Sequence, residues 1–209
     1  MVDLGGDDHL SDLIAGPSGD LFAVGSTFTG EQTSAAVVRL AADGAVDRRF
    51  GTQGVARVAL SGQDVYASSA VVAGRGIVIA GSALSLDVQA AFVARLSMQG
   101  LLEAQFGQKG VLSMDEPGQF DGAGPLAVAD DGALLVARQS GDIGEGPFSA
   151  QMLKLDAATG KPKVAFGVNG AVDLGQFALT GLLADGEGFL NAGSLFDASG
   201  PVEVIQRRQ

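Results

Sequence analysis

The sequence of 209 residues predicts an all-β protein, a β-propeller of four four-stranded blades. The main evidence is a segment that occurs three times and contains a Phe-Gly turn each time, at Phe50, Phe106 and Phe166. These turns are 56 and 60 residues apart, and tandem units of about that length with several short strands are typical of propellers. The apolar runs between turns are 4–6 residues long, which favours strands over helices.

The repeated segment reads apolar strand, basic residue, leucine, a turn containing glycine, Phe-Gly-x-x-Gly and a second apolar strand. It occupies residues 35–60, 90–114 and 150–174. A further apolar strand precedes each copy and is found a fourth time near the end of the chain, at residues 21–26, 77–82, 134–140 and 189–194. The chain is therefore expected to form one domain of four units, about 5–60, 61–114, 115–174 and 175–209. The fourth unit lacks the Phe-Gly turn.

Each unit divides into four short strands rich in Val, Ile, Leu and Ala, separated by Gly, Asp and Ser. In the first unit we expect these strands near 10–15, 20–25, 35–40 and 55–60. Hairpin turns are expected where glycine tolerates a positive φ, at 17–19, 73–76, 130–132 and 185–186. The phenylalanine of each Phe-Gly turn is expected to fill the seam between adjacent sheets, where its burial stabilises by roughly 1.5–3 kcal/mol. A β-solenoid fits less well, because its coils are only about 20–30 residues long.

The two ends of the chain suggest how the ring is completed. Val2-Asp3-Leu4 matches Val172-Asp173-Leu174, the strand that follows the third Phe-Gly turn. We therefore expect residues 2–4 to supply the last strand of the fourth unit by pairing with the strand near 202–208. The alternative is an open half-propeller, whose unpaired sheet edges favour dimerisation into an eight-bladed ring. The expected state is accordingly a monomer or a homodimer.

The string from Ala36 to Val55, AVVRLAADGAVDRRFGTQGV, resembles the delta-60 repeat of bacterial proteins. The third unit departs from this pattern, because Lys163 stands where the first two units have Asp47 and Glu103. The resemblance implies propeller blades and a secreted or surface protein, and hence an extracellular or cell-envelope location. It implies no catalytic residues.

Composition excludes several classes of function. Thirteen basic and 24 acidic residues give a net charge of −11, which argues against binding the nucleic-acid backbone. The chain contains no cysteine, so disulfides, Fe–S clusters and thiolate zinc sites are excluded, and its single histidine excludes any site that requires two. No apolar run reaches the 18 or more residues of a spanning helix, and we expect no membrane span.

One face of the predicted propeller is acidic. The loops that enter the innermost strands and those that join the second and third strands carry 11 carboxylates and one base, Arg138. The carboxylates are Asp7, Asp8, Glu31, Asp64, Asp87, Asp115, Glu116, Asp121, Asp142, Glu145 and Asp197. Because Asp8 and Asp121 occupy equivalent repeat positions and Asp64 lies within two residues of that position, these three are expected to ring the mouth of the central channel. Asp8, Asp64, Asp121 and Arg138 are therefore the predicted ligand-binding residues.

The predicted function is a non-enzymatic binding or scaffold module, since no catalytic set is recognisable. An acidic mouth suits a cation such as Ca²⁺, a cationic ligand, a glycan or a protein partner. No other cofactor is expected. The alternative is a glycan- or lactone-processing hydrolase or lyase that uses carboxylates at the channel mouth. The absence of Trp and the single tyrosine, Tyr66, weigh against a sugar-binding platform.

Overall fold

A computed structural model of the chain describes residues 4, 6–86, 88–114, 120–141, 149–186, 188–197 and 200–208. These residues form 14 β-strands, which confirms the all-β prediction. The strands make one four-stranded and one ten-stranded sheet, and all strand pairs but one are antiparallel. Among the described residues, no helix is long and apolar enough to cross a membrane.

The first two units are complete four-stranded antiparallel sheets. The strands of unit 1 are β1 (Asp7–Ala15), β2 (Leu21–Phe28), β3 (Thr33–Leu40) and β4 (Val55–Val58). Those of unit 2 are β5 (Asp64–Ala73), β6 (Gly76–Leu84), β7 (Gln89–Ser97) and β8 (Val111–Met114). Both units are simple meanders in which each strand pairs with the next.

Units 3 and 4 share their longest strand. Unit 3 contains β9 (Phe120–Val128), β10 (Leu134–Gly141) and β11 (Ser149–Leu155), and unit 4 contains β13 (Gly188–Asp197) and β14 (Gly200–Arg208). Strand β12 (Ala171–Asp185) pairs with β11 through its first half and with β13 through its second half. The fourth unit therefore shows three strands rather than four, since β14 pairs only with β13 among the described residues.

The units lie side by side in chain order. The innermost strands β1, β5, β9 and β12 contact one another in that sequence, and one parallel pair, Gln89 with Phe120, joins β7 to β9. Across the described ranges, no extensive contact joins β1–β4 to β11–β14. A closed ring of four complete blades is therefore not confirmed.

The predicted closing strand at residues 2–4 falls mostly outside the described residues. Only Leu4 is described, and it lies against unit 1: Arg57 donates to its carbonyl oxygen at 2.8 Å, and its N–H donates to Asp8 at 2.8 Å. Leu4 also lines an apolar groove on the sheet of unit 1 together with Ala36 and Val38.

Each interior seam is filled by a phenylalanine from a Phe-Gly turn, as the sequence predicts. Phe50 and Phe106 are almost fully buried in two successive clusters, and each ring contacts the glycine of a turn in the following unit. A Cβ on Gly100 would lie 3.0 Å from the Phe50 ring, and one on Gly160 would lie 3.1 Å from the Phe106 ring. The following turn also accepts a backbone hydrogen bond, from Gly51 to Gln99 at 2.8 Å and from Gly107 to Thr159 at 3.0 Å.

The Phe-Gly-x-x-Gly sequence is required by the backbone of this turn. In the first copy, Gly51, Gln53 and Gly54 have φ values of 53°, 56° and 98°, and the other two copies repeat these values within a few degrees. Two of the three positions are glycine because left-handed backbone is costly for other residues. The Gly54 N–H closes the turn by donating to the Phe50 carbonyl at 2.9 Å.

The basic residue near the end of the third strand forms an ion pair in each of the first three units. Arg39 pairs with Asp20 at 2.8 Å, Arg95 with Glu103 at 2.5 Å, and Lys154 with Asp131 at 3.0 Å. The sequence departure at Lys163 is compensated locally, because its ammonium lies 3.3 Å from Asp156. These ion pairs therefore hold the turns at this end of each unit.

Candidate functional site

A groove of about 900 Å³ lies between the innermost strands of all four units and is open to solvent. The lining is polar and rich in hydroxyl groups, with Ser11, Ser26, Ser68, Ser69, Ser82 and Thr180 alongside His9, Asp12, Tyr66 and Gln139. The ring of Tyr66 is 40% exposed. The groove lies at the predicted position of a central channel.

A bulge in each innermost strand turns these side chains into the groove. The pairing register slips at Ser11 in β1, at Ser68 in β5 and at Thr180 in β12. A bulge places two residues opposite one and redirects the side chains beside it. The neighbouring strand carries glycine opposite the bulge, since a Cβ on Gly25 or Gly81 would overlap the carbonyl oxygen of His9 or Tyr66.

Unit 3 breaks this pattern at one position. Arg138 occupies the site that is Gly25, Gly81 and Gly193 in the other units, as the strand registers show. Strand β9 makes room for it with a wider irregularity at Gly124-Pro125, which is joined by a cis peptide bond. The next residue, Gln139, stands where units 1 and 2 have Ser26 and Ser82, so unit 3 gives the groove an amide instead of a hydroxyl.

Side-chain hydrogen bonds between units hold the groove walls in place. Asp12 accepts from the backbone N–H of Ala70 at 2.8 Å, and Ser69 accepts from that of Leu126 at 3.2 Å. These two bonds are equivalent by repeat position. In the third seam Gln139 takes this role, accepting from the N–H of Leu179 at 3.0 Å. Several groove residues are therefore both lining and structural.

The predicted ligand-binding residue Asp64 is engaged in a hydrogen bond within the protein. Its carboxylate accepts from the backbone N–H of Thr33 at 2.6 Å, which fastens unit 2 to unit 1. The register places it one residue before the position shared by Asp8 and Asp121, so its side chain points to the other side of the strand. It lines a separate shallow cavity with Glu31 and Leu86.

Asp121 and Arg138 lie together, but inside the protein. Asp121 is 0% exposed, and Arg138 Nη2 donates to its carboxylate at 3.1 Å. The backbone carbonyl of Asp121 also accepts from the Gln89 side chain at 3.1 Å. Removing either partner of such a buried ion pair is costly, because it leaves the other charge unpaired in a low-dielectric interior. The pair therefore supports unit 3 from behind the groove wall.

Asp8 is exposed and accepts from the N–H of Leu4. It lines the apolar groove of unit 1 rather than the central one. Within the described ranges, no three Asp, Glu or His side chains come close enough to hold a metal ion. Five carboxylates of the predicted acidic face lie outside the described residues, namely Asp87, Asp115, Glu116, Asp142 and Glu145.

The chemistry of the central groove differs from that of an acidic mouth. Its one carboxylate among the described lining residues is Asp12, and both oxygens of Asp12 accept backbone hydrogen bonds, from Leu13 and Ala70. The groove instead offers hydroxyls that both donate and accept, an exposed imidazole at His9 and one aromatic ring. Such a surface suits a neutral polar ligand. Among its described lining residues there is no pair of carboxylates of the kind used in glycoside hydrolysis.

The sequence analysis missed these hydroxyl residues as a set. The signal was the Gly-Ser pair near the end of three of the four second strands, at residues 25–26, 81–82 and 193–194. Its meaning depends on the bulges, because only they explain why glycine must precede the serine and which way the serine points. Bulges leave little trace in a single sequence.

The comparisons with known proteins agree with this architecture. No curated protein matches the chain. Residues 16–50, which cover β2 and β3 and end at Phe50, match the sequence profile of a family described as "Domain of unknown function (DUF5122) beta-propeller".

Proposed function

We propose that the protein is a non-enzymatic β-propeller module that binds a neutral polyhydroxyl ligand, of the glycan class, in its central groove. The observation that carries the proposal is the set of hydroxyl groups that strands β1, β2, β5, β6 and β12 contribute to the groove lining. Pockets with a few convergent polar groups are the usual place for ligands. A polyhydroxyl ligand matches serine and threonine, since both partners donate and accept hydrogen bonds.

Tyr66 gives the groove its aromatic surface. Its ring is 40% exposed, and an exposed aromatic face is a suitable support for the apolar face of a sugar ring. Its hydroxyl lies 3.4 Å from that of Thr33, so the ring is held from the adjoining unit. We assign Tyr66 the central role in binding, with His9 on β1 as a polar neighbour.

The proposal extends to the wider setting of the protein. The resemblance of residues 36–55 to the delta-60 repeat supports a bacterial protein that is secreted or displayed on the cell surface. The net charge of −11 supports an acidic outer surface around the groove, which would favour cationic partners there. Completion of the propeller ring, by strand 2–4 or by a second chain, belongs to the same proposal.

Titration calorimetry with neutral cello-, chito- and malto-oligosaccharides tests the ligand class. We expect binding of one of these series, loss of that binding in Tyr66→Ala and its retention in Tyr66→Phe, which keeps the ring. Leu86→Ala is the matched control, because Leu86 is fully exposed beside a different cavity. Binding of spermine or Ca²⁺ alone, or of none of the probes, would contradict the glycan proposal.

A further inference from the structure

The two end units each expose a sheet face that is equivalent to a buried interior face. We call the side of a sheet that meets the following unit its forward face, and the side that meets the preceding unit its rear face. The forward face of unit 1 packs Phe22, Val24 and Val37 against unit 2, and all three are 0% exposed. On the rear face of unit 2, Ile77, Ile79 and Phe92 belong to the same buried cluster.

The forward face of unit 4 carries the same arrangement but is uncovered. The registers make Leu190, Ala192 and Ile205 equivalent to Phe22, Val24 and Val37. Ile205 is nevertheless 78% exposed, and Leu183 beside it is 66% exposed. This aliphatic patch has the composition of an interior seam except at Glu203, which stands where unit 1 has the buried Ala35. Among the described residues, no unit is packed on it.

The rear face of unit 1 is the complementary surface. It holds an apolar groove of about 350 Å³ lined by Leu13, Ala23, Val38 and Leu40. The registers align Leu13, Ala23 and Val38 with Ala70, Ile79 and Ala94, which are buried in unit 2. Leu13 is 54% exposed.

A second observation distinguishes the inner edge of unit 1 from those of units 2 and 3 within the described part of the chain. In units 2 and 3, the N–H groups of Ala70 and Leu126 are bound by a side chain of the preceding unit. The equivalent N–H in unit 1 belongs to Leu13, and it is bound by the carboxylate of its own neighbour, Asp12, at 2.8 Å.

We propose that the forward face of unit 4 docks on the rear face of unit 1 of a second copy of this chain. The same contact then forms twice, and two open arcs close into a ring of eight units without a free sheet face. A second copy is favoured over other occupants because one chain carries both members of the complementary pair, at opposite ends of the arc. Continuity with the interior seams supplies the geometry.

Sedimentation equilibrium of the full chain tests this proposal with one variant for each face. Wild type should have twice the 21.0 kDa mass of one chain. Ile205→Asp and Leu13→Asp should each weaken association at least about a hundredfold, since each places an unpaired carboxylate in both contacts of the ring. Val168→Asp is the control, because Val168 is 77% exposed at a turn tip outside both faces.

Mixing the two interface variants sharpens the test. Together they form one undamaged contact, so the mixture should dimerise more tightly than either variant alone. A contact between two copies of the same face would be disrupted by only one of the two variants, and that result would overturn the proposal. A monomeric wild type at millimolar concentration would overturn it too, whether the chain closes on itself or stays open. Far-UV circular dichroism verifies that the variants remain folded.

Discussion

The seam between units 1 and 2 and the seam between units 3 and 4 each contain a Phe-Gly turn of the same pattern, but the two phenylalanines differ in burial. At the first seam Phe50 is 1% exposed, lies 5.7 Å from the Phe22 ring, and is covered by the turn at Gly100. At the last seam Phe166 lies 6.2 Å from the Phe189 ring but stays partly exposed. Among the described residues, no turn of unit 4 covers it.

The difference shows that the seam requires two parts, a phenylalanine and a receiving turn with glycine. Unit 1 has a receiving turn but, among the described residues, no phenylalanine packed on it, since a Cβ on Gly44 would meet only open space. The backbone of that turn is nevertheless formed, with φ of +83° at Gly44 against +80° at Gly100. Local sequence therefore determines each part, and packing between units determines what each part contributes to stability.

The largest expected effect comes from removing the phenylalanine at each seam. Phe50→Ala should lower the free energy of unfolding by about 3–5 kcal/mol, because a fully buried ring leaves a cavity. Phe166→Ala should cost at most about half as much, since part of its ring already contacts water. Urea denaturation of the two variants gives the comparison, and equal losses would contradict the account.

Alanine at the receiving glycines isolates the contribution of the turn. Gly44→Ala and Gly100→Ala impose nearly the same backbone strain, because the two φ values differ by only 3°. Gly100→Ala also places a Cβ 2.8 Å from the backbone nitrogen of Gly51 and 3.0 Å from the Phe50 ring, so it should cost roughly 1–3 kcal/mol more. Thermal and urea unfolding measure the difference. If the two variants are equally stable, the contacts of Gly100 with Gly51 and Phe50 contribute nothing to stability.

One residue weakens the last seam from within. Asn191 is 0% exposed, and neither its amide nitrogen nor its carbonyl oxygen has a hydrogen-bond partner among the residues that the structure describes. The equivalent residues at the other seams are Ile79 and Val136. Asn191→Val should therefore stabilise the protein by about 1–2 kcal/mol, because an unsatisfied buried amide is costly. The reciprocal change, Ile79→Asn, should destabilise it, and a destabilised Asn191→Val would show that this amide is satisfied.

The smallest effect concerns the receiving turn of unit 3. The hydroxyl of Thr159 donates to Asp156 at 2.8 Å and lowers the pKa of that carboxyl, with smaller contributions from the Thr159 N–H and Lys163, while burial opposes the shift. Because the folded-state pKa is depressed, the stabilisation is present above about pH 4 and is lost as the pH falls through the folded-state value.

Asp156→Asn should accordingly cost less than about 1 kcal/mol at neutral pH, since the carboxylate is partly exposed. The cost should shrink when the pH is lowered from 7 to about 2, because the carboxyl becomes protonated as the pH falls through its depressed folded-state pKa. Urea titrations at the two pH values provide the measurement, with Asp43→Asn on the uncovered turn of unit 1 as the control. A cost that persists at low pH would exclude the charge as its cause.

The sequence was sufficient for the strands and turns because these depend on local patterns. The Phe-Gly turns are recognisable from glycine at two left-handed positions, and the meanders follow from short apolar runs. The sharing of β12 between units 3 and 4 could not be read from the sequence, since it depends on how a long strand passes from one sheet to the next.

The candidate site was harder to predict because it depends on side-chain direction. Asp64 is one residue out of register with Asp8 and Asp121, and a single residue reverses the face of a strand. Asp121 was correctly aligned with Asp8 in the repeat, but its burial depends on Arg138 replacing a glycine on the neighbouring strand. The serines of the groove depend on bulges that composition does not reveal.

Native-state hydrogen exchange tests most directly whether the seams differ in strength. The Ile205→Asp variant is suitable, since we expect it to be monomeric and to leave unit 4 uncovered. Amides of β2, β3, β6 and β7 should exchange only through global unfolding, and those of β13 and β14 through a local opening of lower free energy. Equal protection of β14 and β6 would contradict the account.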